Sequence, residues 1–242
     1  MTTLKVNAIE PEGGTTNLTV GLSGQNVVVG GSGGLKANTM KDAGGNTLWT
    51  SNGSGVLSSV AGFGGDQVLL STTTVSSAVA NISFTSGMSS TYKEYVFDFI
   101  NVLPVTDATS FTFQVNASGQ SGFNESMTTT FWYTQHSEND VTAYVEYDAS
   151  LDQSSGTAYQ GITRQMGGDA DESSVGIFYL YSPASTTYVK HFMSRMNSYH
   201  SSTYSMDFFV AGFINVTAAI TQIDFKPSGG VFDGKIKMYG IS

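Results

Sequence analysis

Beyond residue 67 the chain is written in twos. Tyr95, Phe97 and Phe99 alternate with Val96, Asp98 and Ile100 and stop before Pro104, and Phe111, Phe113 and Val115 alternate with Thr112 and Gln114. A period of two sends successive side chains to opposite faces of a β-strand. Further runs of this kind cover 128–133, 141–147, 175–181, 189–196, 204–214, 220–225 and 235–241, and clusters of Ser, Gly, Asp and Pro separate most of them. No stretch carries the 3.6-residue period of an amphipathic helix of useful length. About ten strands in roughly 175 residues predict an antiparallel two-sheet β-sandwich, most simply a jelly roll, over 67–242. The 15 Phe and 12 Tyr supply enough apolar volume for its core. In the last strand Ile236 and Met238 face one way and Lys237 and Tyr239 the other, so that strand reads as integral to a sheet.

The first sixty residues have another texture. Leu4-Lys5-Val6-Asn7-Ala8-Ile9, followed by Gly13-Gly14, returns as Leu35-Lys36-Ala37-Asn38-Thr39-Met40, followed by Gly44-Gly45. Each copy reads as an extended piece, a Gly-Gly reversal and a second extended piece, because Gly tolerates the positive φ of a tight turn. So few large apolar side chains cannot bury a core, and such units gain stability by stacking on neighbours. Residues 1–60 therefore read as an all-β assembly and attachment segment. Leu4, Val6, Ile9, Leu35, Met40 and Trp49 are its candidate assembly residues. Gly30-Gly31-Ser32-Gly33-Gly34 is a spacer between the copies, not a phosphate loop, since no helix follows it. Residues 61–66, with Gly62, Gly64 and Gly65, are the linker.

Charge narrows the function classes. The net charge is −9 and no Lys/Arg cluster is present, which argues against nucleic-acid partners. With no Cys there are no disulfides, thiolate zinc sites or thiol nucleophiles. No run approaches the ~18 apolar residues of a membrane span, and the N-terminus lacks a secretory pattern.

Catalytic groupings are not evident. His136, His191 and His200 have no metal-ligand spacing. Asp169, Asp171 and Glu172 are a weak calcium candidate, and a solvated acidic turn is the preferred reading. Glu138 and Asp140 are too close in sequence for the paired carboxylates of a glycosidase. The expectation is no enzyme, no cofactor and no metal. Binding is the better prospect. Trp132, Tyr133 and His136 form one aromatic-polar group, and Tyr199, His200 and Tyr204 form a second, of the kind that stacks on sugar rings and pairs with their hydroxyls. The plain alternative is that alternate members of these strands are core.

Leu4 to Pro11, the passage from Leu35 to Ser51, the run Tyr92 to Pro104 and the closing Gly234-Lys235-Ile236-Lys237-Met238-Tyr239-Gly240-Ile241 resemble virion fibre proteins of marine tailed bacteriophages. The resemblance implies a homotrimer with residues 1–60 as its trimerisation segment, which other virion proteins also hold, and a β-sandwich head that recognises a host-surface glycan or receptor. It implies a protein made in the host cytoplasm and placed on the virion exterior. The chain is short for a main tail fibre and shows no coiled-coil heptads. A short tail fibre, a fibre tip or a capsid decoration (a head fibre or cement protein) all fit. A free carbohydrate-binding module or glycan-degrading enzyme is the reading from another class.

Overall fold

The computed structural model describes residues 39–42, 44–51, 57–58 and 67–241. The chain divides into two units, Met1–Phe63 and Gly64–Ser242. Every regular element among the described residues is a strand, every pairing is antiparallel, and no helix is long and apolar enough to cross a membrane. The all-β expectation holds, and the larger unit is a two-sheet sandwich.

In the first unit β1 (Thr39–Lys41), β2 (Thr47–Ser51) and β3 (Leu57–Ser58) form a sheet in that order. The turn between β1 and β2 is closed by Asp42, whose carboxylate accepts the backbone and side-chain N–H groups of Asn46 at 2.8 and 2.9 Å. Gly45, at φ 83°, takes the left-handed conformation that this reversal needs. The turn sets Met40 opposite Trp49. Of the proposed assembly residues, Leu4, Val6, Ile9 and Leu35 lie outside the described residues.

The second unit contains β4 (Gln67–Val79), β5 (Ile82–Phe84), β6 (Glu94–Pro104), β7 (Phe111–Ala117), β8 (Met127–Ser137), β9 (Ala143–Tyr147), β10 (Gln160–Gly161), β11 (Ser174–Tyr181), β12 (Lys190–His200), β13 (Tyr204–Ile214), β14 (Ile220–Pro227) and β15 (Phe232–Ile241). One sheet runs β4-β15-β6-β11-β12-β13-β8-β9 and the other β10-β7-β14-β5. Pairing is nested: the first strand, β4, bonds to the last, β15, which also bonds to β6, while β5 and β7 flank β14. Two hairpin-like insertions, β8–β9 and β12–β13, extend only the larger sheet. The sequence reading named no strand within 67–84. β4 is an edge strand in which Val68-Leu69-Leu70 is followed by the polar run Ser71-Thr72-Thr73-Thr74, so its apolar residues do not alternate and periodicity gave it little signal.

Burial follows the alternation. In β12, Phe192, Met196 and Ser198 face inward while His191, Met193, Arg195 and Asn197 face out. Between the sheets, Phe113 meets Phe178 and Phe192 with centroids 4.5 and 4.8 Å apart, and Phe225 meets Phe97 and Phe99 at 5.2 and 5.1 Å. The rings pack mainly edge-to-face or tilted, the arrangement that their quadrupoles favour. Each such Phe contributes about 1.5–3 kcal/mol of burial. Ile236 and Met238 of β15 lie in this core, which makes the last strand part of the sandwich.

The inserted strands reach past the smaller sheet, and their inner face is covered by the chain between β9 and β11. Ile162 and Met166 from that segment join Phe131, Phe208 and Met196 in the core. Arg164 pins it, donating to the Tyr133 hydroxyl at 3.0 Å and to the Asp148 carboxylate at 2.9 Å.

At the start of β12, Lys190 is wholly buried with no carboxylate beside it. Its Nζ donates to the carbonyls of Tyr188, Val216, Thr217 and Ala218 at 2.9–3.1 Å. Burial holds its ammonium below the usual lysine value. Three N–H bonds are shared among four carbonyls, which ties the loop before β14 to β12. Replacing Lys190 by Met leaves those carbonyls without their donor. We expect Lys190→Met to lower stability by roughly 2–4 kcal/mol. Urea unfolding checks this, as a lower midpoint at unchanged slope.

Candidate functional site

The outer face of the large sheet is built by the same alternation. Even residues of β8 and odd residues of β12 and β13 point to solvent, and register aligns them in rows across the strands. One row is Trp132, Phe209, Arg195 and Ile177; the next is Thr130, Ala211, Met193 and Tyr179. Successive rows on one face are about 6.7 Å apart, two residues along a strand.

In the first row the Trp132 and Phe209 rings stack in parallel at 4.0 Å with an interplanar angle of 4°. Phe209 lies between its two neighbours, and from the other side the Arg195 guanidinium covers it at 4.9 Å. Arg195 is held there by Asp207, to which its Nε donates at 3.2 Å and its Nη2 at 2.7 Å. An exposed ion pair of this kind adds little stability; its effect here is to fix the cation over the ring. Both faces of Phe209 are therefore occupied. The other face of Trp132, which is 38% exposed, has no ring contact among the described residues, although Tyr147 of β9 is its register partner.

The second row is lower because Ala211 is small. A groove of about 320 Å³ results, walled by Trp132, Phe209 and Arg195 on one side and by Tyr179 and Tyr181 on another, with Met193 and Ala211 in its floor. The two tyrosine rings are near-parallel, 6.2 Å apart. A neighbouring hollow of about 430 Å³ shares Tyr181, Met193 and Ala211 and adds His191 and Phe213. Both lie in the size range of small-ligand sites and are mainly apolar with polar groups at the margin.

Further along the same face is a polar hollow of about 330 Å³ lined by His136, Glu138, Asp171, Asn197, Tyr199 and Ser205. The Tyr199 hydroxyl donates to Glu138 at 3.0 Å, which raises its pKa above the usual tyrosine value. His136 and Asp140 are in contact at 3.0 Å. His136 lies four residues, about 13 Å, along β8 from Trp132.

The six aromatic and histidine residues expected to bind glycan divide by parity. Trp132, His136 and Tyr199 are on the outer face. Tyr133, His200 and Tyr204 point inward, which corrects their expected place at a surface site. Tyr133 is buried between Arg164 and Glu146, and its phenol donates to Glu146 at 2.8 Å. Desolvation and that bond push its pKa up. His200 packs against the Tyr204 ring at 5.3 Å. Phe209, Arg195, Tyr179, Tyr181 and Met193 were not expected. A signal existed: a short turn after His200 pairs residues on either side of 202, so Arg195 must fall opposite Phe209.

The acidic triplet does not converge. The Glu172 carboxylate accepts the Asp169 N–H at 2.9 Å, while Asp171 lines the polar hollow. Among the described residues no three acidic or histidine side chains gather as a metal site.

His200 titrates in a defined direction. Its Nδ1 accepts the Ser202 N–H at 3.0 Å, so the ring is neutral with its proton on Nε2, facing Gln165 Oε1 at 3.1 Å. Burial, and next the Arg164 charge, lower its pKa from 6.5, with Asp107 opposing. Below pH 6.5 the unfolded chain takes a proton that the folded chain resists, so this contribution to stability falls as pH drops from 6.5 towards the folded value. We expect His200→Gln to flatten the pH dependence of unfolding in that window. Thermal or urea unfolding at a series of pH values checks it.

Comparison of the chain with models of known families, with curated proteins and with solved structures finds no match.

Proposed function

We propose that the protein is a non-enzymatic structural component of a phage virion, a homotrimeric tail fibre or short appendage whose head attaches to a host-surface glycan. The virion and trimer parts of this reading rest on the sequence resemblance, and the observation that carries its glycan part is the Ala211 groove, an aromatic-walled depression open to solvent. The apolar face of a sugar ring fits beside Trp132 or against the Tyr179–Tyr181 pair, and the Arg195–Asp207 fork offers polar partners at the rim. The groove suits binding rather than turnover, because its two charged neighbours are committed to each other.

We read the head as a jelly roll. The eight strands β4–β7, β10, β11, β14 and β15 divide evenly between two sheets, and their nested first-with-last pairing supports two interlocked Greek keys. The β8–β9 and β12–β13 insertions widen one sheet and create the groove. In the N-terminal unit, Met40 opposite Trp49 supports an apolar patch for neighbouring chains of the trimer.

The test is glycan binding by the full-length protein against a panel of bacterial surface polysaccharides. Ala211→Trp fills the groove and Trp132→Ala removes its wall. Each should weaken binding by about tenfold or more, ~1.4 kcal/mol, while thermal unfolding stays cooperative. Folded variants that bind as the wild type does would remove the groove from the reading. A wild type that binds none of the panel would overturn the glycan part.

A further inference from the structure

We infer that β9 is a contact between two copies of this chain, joined edge to edge about a two-fold axis through Val145. β9 closes one end of the eight-stranded sheet, and among the described residues nothing pairs with its far side. All five of its residues are exposed, Val145 at 68% and Tyr147 at 51%. Exposed sheet edges are normally protected by shortness, a bulge, a charge or a Pro. β9 is short but has no bulge, Lys or Pro, and its register with β8 is unbroken. Its one charge, Glu146, faces inward and accepts the Tyr133 hydroxyl.

The ladder shows which backbone groups are free. Asp148 N–H donates to Phe131 O and Ser137 N–H donates to Thr142 O, both at 2.9 Å. In an antiparallel pair, bonded and non-bonded positions alternate. Tyr144 and Glu146 therefore bond to β8, and Ala143, Val145 and Tyr147 direct their N–H and C=O groups away from it. These are the groups of an unfinished ladder, and what completes a ladder is another strand.

The occupant is identified by self-complementarity. Outward residues must meet outward residues, so an antiparallel copy can be centred on Val145, Tyr144 or Glu146. Centring on Glu146 sets two carboxylates directly opposite in a close, non-bonded pair, which is unfavourable. Centring on Tyr144 leaves Tyr147 opposite Val141, beyond the end of the strand. Centring on Val145 overlaps all five residues of both copies. Val145 then faces Val145, each Tyr147 faces an Ala143, large against small, and each Tyr144 faces a Glu146. Three bonded pairs exchange two N–H···O bonds each.

The contact is isologous and links copies in twos. If the N-terminal segments also assemble in threes, the smallest closed particle has six chains. Pairing would also set two Ala211 grooves on one continuous sheet, where a repeating ligand could engage both. The inference does not depend on what the grooves bind.

Light scattering of the full-length protein over a hundredfold dilution provides the test, with Val145→Pro and Val145→Lys beside the wild type. The Val145 N–H points away from β8, so Pro removes no bond from the chain's own ladder. The expected wild-type mass is an even number of chains at high concentration, halved in both variants. Hydrogen exchange on the wild type needs no variant: the Val145 and Tyr147 amides should exchange at least tenfold more slowly in the concentrated sample than in the dilute one. A wild type of one or three chains would overturn the inference. So would an even mass that a folded variant retains, or a Val145 amide that exchanges at the free rate in the concentrated sample.

Discussion

Six phenylalanine rings close on Phe225. Phe84, Phe97, Phe99, Phe111, Phe113 and Phe178 all have centroids within 5.1–6.5 Å of it. They come from β5, β6, β7 and β11, so one side chain of β14 joins strands of both sheets. The rest of the larger unit depends on this contact. Strands that are hundreds of atoms apart in the chain are brought into register because their alternate rings must share one dry volume. A one-residue slip of β14 would turn Phe225 out and bring Asp224 in, and Asp224 is already committed on the other face to Asn81, Ser83 and Tyr159.

The inserted strands obey the same rule without a second sheet beneath them. Their inward residues are covered by an irregular segment, and irregular chain brings polar groups with it. This explains the many hydrogen bonds of that region. Gln160 accepts from Thr129 and donates to Leu151 and Gly161, Gln114 donates to three carbonyls, and Arg164 bridges Tyr133 and Asp148. Buried backbone that is not in a ladder must find such partners. Within the second unit, no other described strand covers the outward residues of the same strands. The groove, the polar hollow and the bare β9 edge are all consequences of extending one sheet and not the other.

Much of the fold was legible in the chain. The runs 204–214 and 220–225 match β13 and most of β14, and the absence of helical periods left only sheets to build. Strands with weak alternation were not legible. β4 groups its apolar and its Ser/Thr residues in runs instead of alternating them, and β10 is only two residues long, so both are strands because neighbours supply their partners. Of the residues named for the candidate site, Trp132, His136 and Tyr199 lie on the outer face, while Tyr133, His200 and Tyr204 lie on the inner one. An aromatic residue looks the same in sequence whichever face it occupies.

The sequence by itself determined that the larger unit is antiparallel sheet, because its side chains repeat in twos and in nothing else. It also determined that the last strand is structural, since Ile236 and Met238 share a face. Only the tertiary structure decided which face is inside. That choice rests on long-range packing: Phe208 is buried because it meets Phe131 and Tyr133, while Phe209, one residue on, is left outside to stack with Trp132. It likewise decided that Ala211 lies lowest in a row of larger residues contributed by three other strands. A groove of that kind is a property of register between strands, and register is set by the core.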